Sequence, residues 1–338
     1  MSTAGGLTQY LALCISSTIH AHHPIIAHND PGDVREITGT LVDVTWANPH
    51  TILVFSVRND EGELETWRAE GGAINTLSRN GISRESLQVG APITVIGPVS
   101  RFGRTEMIAA VAVASGTEYA LFPALANSLD QELPSESTMT SAAGYEITFA
   151  EAPDLFRVWT PIDFPATAIR PQVLPLTEDA RARMATYDAV TDDLAAECVP
   201  AGMPSMLDQP YPVEFIDRGD QIVMRLEEWN GVRTIHMDDS APDEGIGTIF
   251  GHSAGHWDGE VLVIETSGIG YPYYNDAGAP MTQEMVVIER YSISPDRRRM
   301  DWTATISDPN VFTDSVSFGG WAVWAPEIEI REFDCVVD

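Results

Sequence analysis

The chain has 338 residues, 50 of them acidic and 19 basic, which gives a formal net charge of −31. A surface this negative repels phosphate backbones and anionic headgroups, which argues against nucleic-acid binding and leaves adaptation to a salty milieu or recruitment of divalent or cationic ligands. The length favours two domains over one core, and no apolar run reaches the ~20 residues that cross a bilayer, so no transmembrane segment is expected in the mature chain.

In chain order, residues 7–21 read as an atypical signal segment within an expected leader of 1–21. A short apolar stretch ends at Ile19-His20-Ala21, but the preceding MSTAGG carries no Lys or Arg, and Thr8, Gln9, Ser16 and Ser17 dilute the apolar part. A periplasmic or secreted location follows from that reading. Cys198 and Cys335 remain after cleavage, and an even pair in an exported protein reads as a disulfide, with two separate buried thiols as the alternative.

From Ile37 to Ser115 short alternating strands follow one another in GTLVDVTW, HTILVFSV and APITVIGPV, with Asn59-Asp60-Glu61-Gly62 as a turn. That rhythm predicts an OB-like barrel over 22–120, with AINTLSRNGIS as its single short helix. The polar stretch ANSLDQELPSESTMTSAAG then marks a linker over 121–150. Beyond it, Thr177 reads as the N-cap of a helix, with Glu178 and Asp179 on its first turn. From Val213 strands dominate, so residues 151–338 are expected to form a larger antiparallel β-barrel or curved meander sheet with one or two short helices, and the whole chain to be mainly β.

Asn230-Gly231 and Asp258-Gly259 have the composition of two-residue type I′ hairpin loops. The first places Glu228 opposite Arg233, on one face with Met224, Leu226, Ile235 and Met237, and puts Arg225 and His236 on the exposed face. A charged pair on an apolar face suggests either a ligand pocket or a structural clasp at the end of the barrel. The second loop places His252 opposite Glu265, with Trp257, Leu262 and Ile264 on the buried face. The His–Glu pair is either a surface contact or an acid/base pair in a polar cavity.

The motif Gly251-His252-Ser253-Ala254-Gly255 fits a nucleophile elbow, but it leads into the strand EVLVIET and not into a helix, and the only later histidine is His256. It is read as strand. Tyr271, Tyr273, Tyr274, Trp321 and Trp324 either line a pocket mouth or pack the barrel. In the first domain His22, His23 and His50 form a candidate copper or zinc set, with the α-amine of His22 as an extra ligand if cleavage follows Ala21, and simple ordering of the N-terminal arm as the alternative.

Residues Ala21–His23, GTLVDVTWANPH at Gly39–His50, Trp67–Glu70 and LQVGAPITVIG resemble a family of small exported bacterial proteins of unknown function with an Ala-His-His start and an Asn-Pro-His signature. VRTIHMD, GHSAGHWDGEVLVIET, ERY, TISDPNVFT and the late Cys335 resemble a second uncharacterised bacterial β-rich family. Where that family continues into Gly-Arg-x-His-Pro, this chain has Asp238-Asp239-Ser240-Ala241-Pro242. Neither resemblance implies an activity. The expectation is a protein that binds a small, partly apolar or cationic ligand through Glu228, Arg233, Tyr273 and Trp321. The alternative is an enzyme, a lyase, isomerase or hydrolase with His252, Glu265, Glu228 and Arg233 at its centre. Oligomeric state is not readable.

Overall fold

The computed structural model describes residues 28–128, 151–152, 154–161, 173–188, 191–238 and 246–336. The leader, His22, His23, most of the linker and Asp239–Pro242 lie outside the described residues.

The first unit is a closed five-strand barrel. Its strands are β1 (Asn29–Thr45), β2 (Ile52–Arg58), β3 (Leu64–Glu70), β4 (Pro92–Ser100) and β5 (Glu106–Ile108). They follow the order β1-β2-β3-β5-β4, and β4 pairs back onto β1. A single 17-residue strand serves both edges, pairing through Thr40–Thr45 with β2 and through Val34–Thr40 with β4. Gly39 allows the bend, because a Cβ there would lie 2.4 Å from the carbonyl oxygen of Ser56. The helix expected in AINTLSRNGIS is α1 (Ile74–Arg79). It closes one end of the barrel with Leu77, which packs into a core of Leu41, Leu53, Phe55, Ile93 and Val95. The hairpin β6 (Val111–Ala114) and β7 (Thr117–Ala120) extends the sheet. A short helix α2 (Pro123–Ser128) then occupies the start of the stretch read as linker, with Leu125 and Ala126 buried against the hairpin.

The second unit is a nearly closed nine-strand barrel. Its strands are β8 (Val158–Trp159), β9 (Val213–Asp217), β10 (Gln221–Leu226), β11 (Gly231–His236), β12 (His252–Asp258), β13 (Val261–Ser267), β14 (Val286–Ile293), β15 (Arg299–Ser307) and β16 (Val316–Val323). They lie in sequence order across the sheet, and a bridge between Thr160 and Val323 brings its two ends together. One junction departs from the expected antiparallel meander. β11 and β12 run parallel and touch at a single pair, His236 with Ala254. The core is rich in methionine and aromatics, among them Met206, Phe215, Met224, Met300, Tyr291 and Phe318.

Helix α3 (Glu178–Met184) begins as expected, with the Thr177 hydroxyl accepting from the Ala180 N–H at 3.1 Å. Cys198 and Cys335 form the disulfide, closing 137 residues of chain with their Cα atoms 5.9 Å apart. Replacing both cysteines by serine is expected to lower stability by about 2–4 kcal/mol, since so long a loop regains its freedom in the unfolded chain. Urea unfolding of the double variant against the oxidised protein checks this, and an unchanged midpoint would show that the bridge adds nothing. No helix among the described residues is long and apolar enough to cross a membrane.

Candidate functional site

The β10–β11 connection organises the site. Asn230-Gly231 does not form a two-residue loop. Gly231 is extended at φ −62° and opens β11, while Trp229 at φ 58° and Asn230 at φ 53° take the left-handed conformations, so the loop spans four residues, Glu227–Asn230. Arg233 therefore pairs with Met224 and not with Glu228. The shift is even, and side chains alternate with period two, so Arg233 still points into the barrel as its position relative to Met224 and Ile235 requires.

Arg233 is 2 % exposed. Its guanidinium donates to both carboxylate oxygens of Glu289 at 2.6 and 2.9 Å, to the Ser253 hydroxyl at 2.9 Å and to the Thr266 hydroxyl at 2.5 Å. The Tyr291 hydroxyl donates to Glu289 at 2.8 Å. Burial works against the charge of Arg233, yet the facing Glu289 carboxylate holds its pKa above the ordinary value. Burial first, then the Glu289 charge, pushes the Tyr291 hydroxyl well above its ordinary range, so it stays a donor. Ser253 thus belongs to a buried polar network in a strand, in keeping with the strand reading for His252–Gly255, while Gly251 precedes the strand at φ 67°.

The neighbouring acid, Glu227, joins the two units. It is fully buried and takes a bidentate pair from Arg79 of α1, one of whose bonds measures 2.6 Å. It also accepts from the Asn75 amide at 3.0 Å and from the Arg331 N–H at 2.9 Å. The C-terminal segment runs through the same junction. The Val336 N–H donates to the Asn48 carbonyl at 2.8 Å, the Asn75 amide donates to the Glu332 carbonyl at 3.1 Å, and the Asn230 side chain makes two bonds to the Phe333 backbone at 2.8 and 2.9 Å. The Phe333 ring lies against Tyr211 and Trp229. Asn48 thus holds the tail through its backbone carbonyl. The spacing of Asn75 and Arg79, i and i+4 on one face of a six-residue helix, was the available signal for this contact.

At this end of the second barrel lies a partly open pocket of about 50 Å³. It is lined by Met206, Met224, Leu226, Tyr291, Met300 and Trp302 together with Asp208, Gln209, Tyr211, Glu227, Glu228 and Trp321. Gly320 stands opposite Trp302 on β16, and the absent side chain leaves the space beside the indole. Glu228 is 1 % exposed. Burial first, then the negative charges of Asp276 and Glu227, hold its carboxyl well above the ordinary carboxylate range. A raised folded-state pKa gives a contribution to stability that is complete below the unfolded value, near 4.5, and lost as pH rises through the folded one. Glu228→Gln, which cannot ionise, is therefore expected to melt higher than the parent at neutral pH and to lose that advantage in acid. Parallel melting curves across the range would contradict this.

The other proposed site residues are dispersed. The β12–β13 loop centres on Gly259-Glu260, since Asp258 pairs with Val261. His252 consequently faces Ser267, and Ala254 faces Glu265. Glu265 is exposed on the outer face, so the two do not share an enclosed space with Arg233 and Glu228. His236, expected on the surface, is 3 % exposed, its ring stacked on His252 at 5.2 Å and 19°. Arg225 is exposed as expected and pairs with Glu214 at 2.7 Å. Trp257, expected in the core, is 44 % exposed at the hairpin tip, where it meets the edge of Phe156. Tyr273 packs edge-on against Tyr187 at 5.0 Å, away from the pocket walls. His50 is buried with Nδ1 2.9 Å from a Glu70 carboxylate oxygen. Among the described residues no group of three His, Cys, Asp or Glu side chains is placed to hold a metal.

Glu289 escaped the sequence reading, although Val287, Glu289 and Tyr291 alternate on one face of β14 and an acid at an inward position was the visible signal. Residues 11–109 are similar to a family of unknown function, DUF6152, whose model matches that stretch. No curated protein matches the chain.

Proposed function

We propose that this is an exported binding protein whose second barrel takes a small, partly apolar ligand in the pocket beside Glu228, with the first barrel acting as an accessory module that buttresses the pocket rim. The observation carrying this reading is the gap opposite Trp302, walled by methionine and aromatic side chains and edged by a few polar groups, which is the composition of small-molecule sites. A single water needs about 10–15 Å³, so the space suits a ligand, or a ligand headgroup, of few atoms. The Cys198–Cys335 bridge supports export, because such bonds persist in oxidising compartments. Strong negative charge disfavours polyanionic partners.

The acid/base reading of His252 with Glu265 lacks support, since His252 faces Ser267 and Glu265 is exposed on the outer face, without the enclosure that tunes such groups. The test is native mass spectrometry of the oxidised protein after incubation with a metabolite extract, comparing the parent with Gly320→Val. A small molecule retained by the parent and lost at least about tenfold from the variant is expected, because the added side chain fills the gap. Equal retention by both, or retention by neither, would overturn the proposal.

A further inference from the structure

We infer that the C-terminal segment 329–336 is a strap that holds the Glu227–Asn230 loop in shape beside the pocket, and that the Cys198–Cys335 bond is its latch, opened by a dithiol reductant. The inference rests on the pocket reading only for what the strap controls.

The strap grips both barrels with little structure of its own. It has no regular secondary structure beyond one isolated bridge, Cys335 with Asn48. On the first barrel its Glu329 and Glu332 carbonyls accept from Arg79 at 3.2 Å and from Asn75 at 3.1 Å, and its Val336 N–H donates to the Asn48 carbonyl at 2.8 Å. On the second barrel its Arg331 N–H donates to Glu227 at 2.9 Å, and the Phe333 backbone makes both bonds to the Asn230 side chain. Phe333 is the one buried side chain of the strap, clustered with Ala73, Tyr211 and Trp229. The apolar hold is therefore small. Glu329, Glu332 and Asp334 are exposed acids set against a single cation, Arg331, in a chain of net charge −31. Self-repulsion favours departure of such a segment once no covalent bond retains its end.

The loop is the element that the strap biases. Trp229 at φ 58° and Asn230 at φ 53° are consecutive non-glycine residues in the left-handed region, a costly arrangement that persists only where the surroundings over-determine it. The strap supplies two bonds to Asn230 and a ring against Trp229 at 5.4 Å. The same Phe333 ring packs at 5.4 Å on Tyr211, which lines the pocket together with Glu227 and Glu228. When the strap leaves, Glu227 keeps Arg79 and Asn75, but the left-handed pair loses these contacts, and the pocket lining carried by the loop rearranges with it. The latch is within reach of a reductant, because Cys198 and Cys335 are half-buried and not enclosed. One thiolate of the dithiol attacks a sulfur of the bond and displaces the other cysteine as its thiolate. The second sulfur of the dithiol then closes on the mixed disulfide and releases the first cysteine. Two electrons and two protons pass to the protein, and the dithiol leaves as its own disulfide.

Hydrogen exchange read by mass spectrometry on the full-length protein is the test, with dithiothreitol as the dithiol and alkylation of the freed thiols to count opened bonds. The Arg331, Phe333 and Val336 amides of the strap and the Asn230 amide of the loop are all hydrogen-bonded in the latched protein. After reduction, peptides covering them are expected to accelerate at least about tenfold beyond any acceleration in β13–β15, because the strap opens locally whereas those strands open only with the whole barrel. Cys198→Ser combined with Cys335→Ser should give the same pattern without reductant. A bond that dithiothreitol leaves closed in the folded protein, strap amides that stay protected once the bond is gone, or acceleration shared evenly with β13–β15 overturns the inference. So does a freed strap beside a loop whose exchange is unchanged. None of these outcomes touches the pocket reading, and equal retention of small molecules by the parent and Gly320→Val would overturn that reading while leaving the strap as inferred.

Discussion

Replacing Arg79 by alanine is expected to lower the stability of the protein by about 3–5 kcal/mol, the cost of stranding a buried carboxylate whose partner has been removed. Glu227 is fully buried at the junction of the two barrels, and the lost guanidinium supplies two of its hydrogen bonds. The Asn75 amide and the Arg331 N–H remain, but neither carries a countercharge. Urea unfolding followed by far-UV circular dichroism measures the loss. Arg79→Met combined with Glu227→Gln should recover most of it, because removing both charges leaves no ion in the interior. A change within about 0.5 kcal/mol for Arg79→Ala would show that water reaches the pair. The effect is not expected to add to that of the cysteine changes. Arg79 also donates to the Glu329 carbonyl, and the segment from Glu329 to Cys335 is held at its far end by the disulfide, so the two perturbations loosen one structure.

Glu289→Ala is expected to destabilise the second barrel on the same scale, about 3–5 kcal/mol, or a fall in melting temperature of about 6–20 °C for a domain of this size. Arg233 would keep its bonds to the Ser253 and Thr266 hydroxyls but lose its only buried countercharge in the network, and Tyr291 would lose the acceptor for its hydroxyl. Arg233→Met with Glu289→Leu should be far milder than either single loss. Calorimetry on the three variants makes the comparison, and additive single effects in the double variant would show that the two residues do not act as a pair. Tyr291 links this network to the pocket wall, so Glu289→Ala should also weaken any ligand held there.

Local rules carried the reading of the backbone far. Alternation in GTLVDVTW and HTILVFSV anticipated the first barrel, Thr177 anticipated a helix start, and the two late cysteines anticipated their bond. Arg233 was read as inward because period-two alternation survives any even change in register. Local rules failed where a distant segment intervened. Asn230 leaves the expected hairpin turn because its side chain is claimed by the backbone of Phe333, 103 positions away, and Trp229 packs on the same ring. His236 is buried against His252 because β11 meets β12 in parallel, a pairing that no turn between them encodes.

The order of residues by itself determined which faces of the strands are apolar, hence the two barrels, their helices and the inward arginine. Only the tertiary structure decided which acid meets which base, Glu289 for Arg233 and Glu227 for Arg79. The reason is physical. Alternation and capping act between near neighbours and are written locally, whereas a buried charge must find its countercharge wherever the closed barrel brings one within reach.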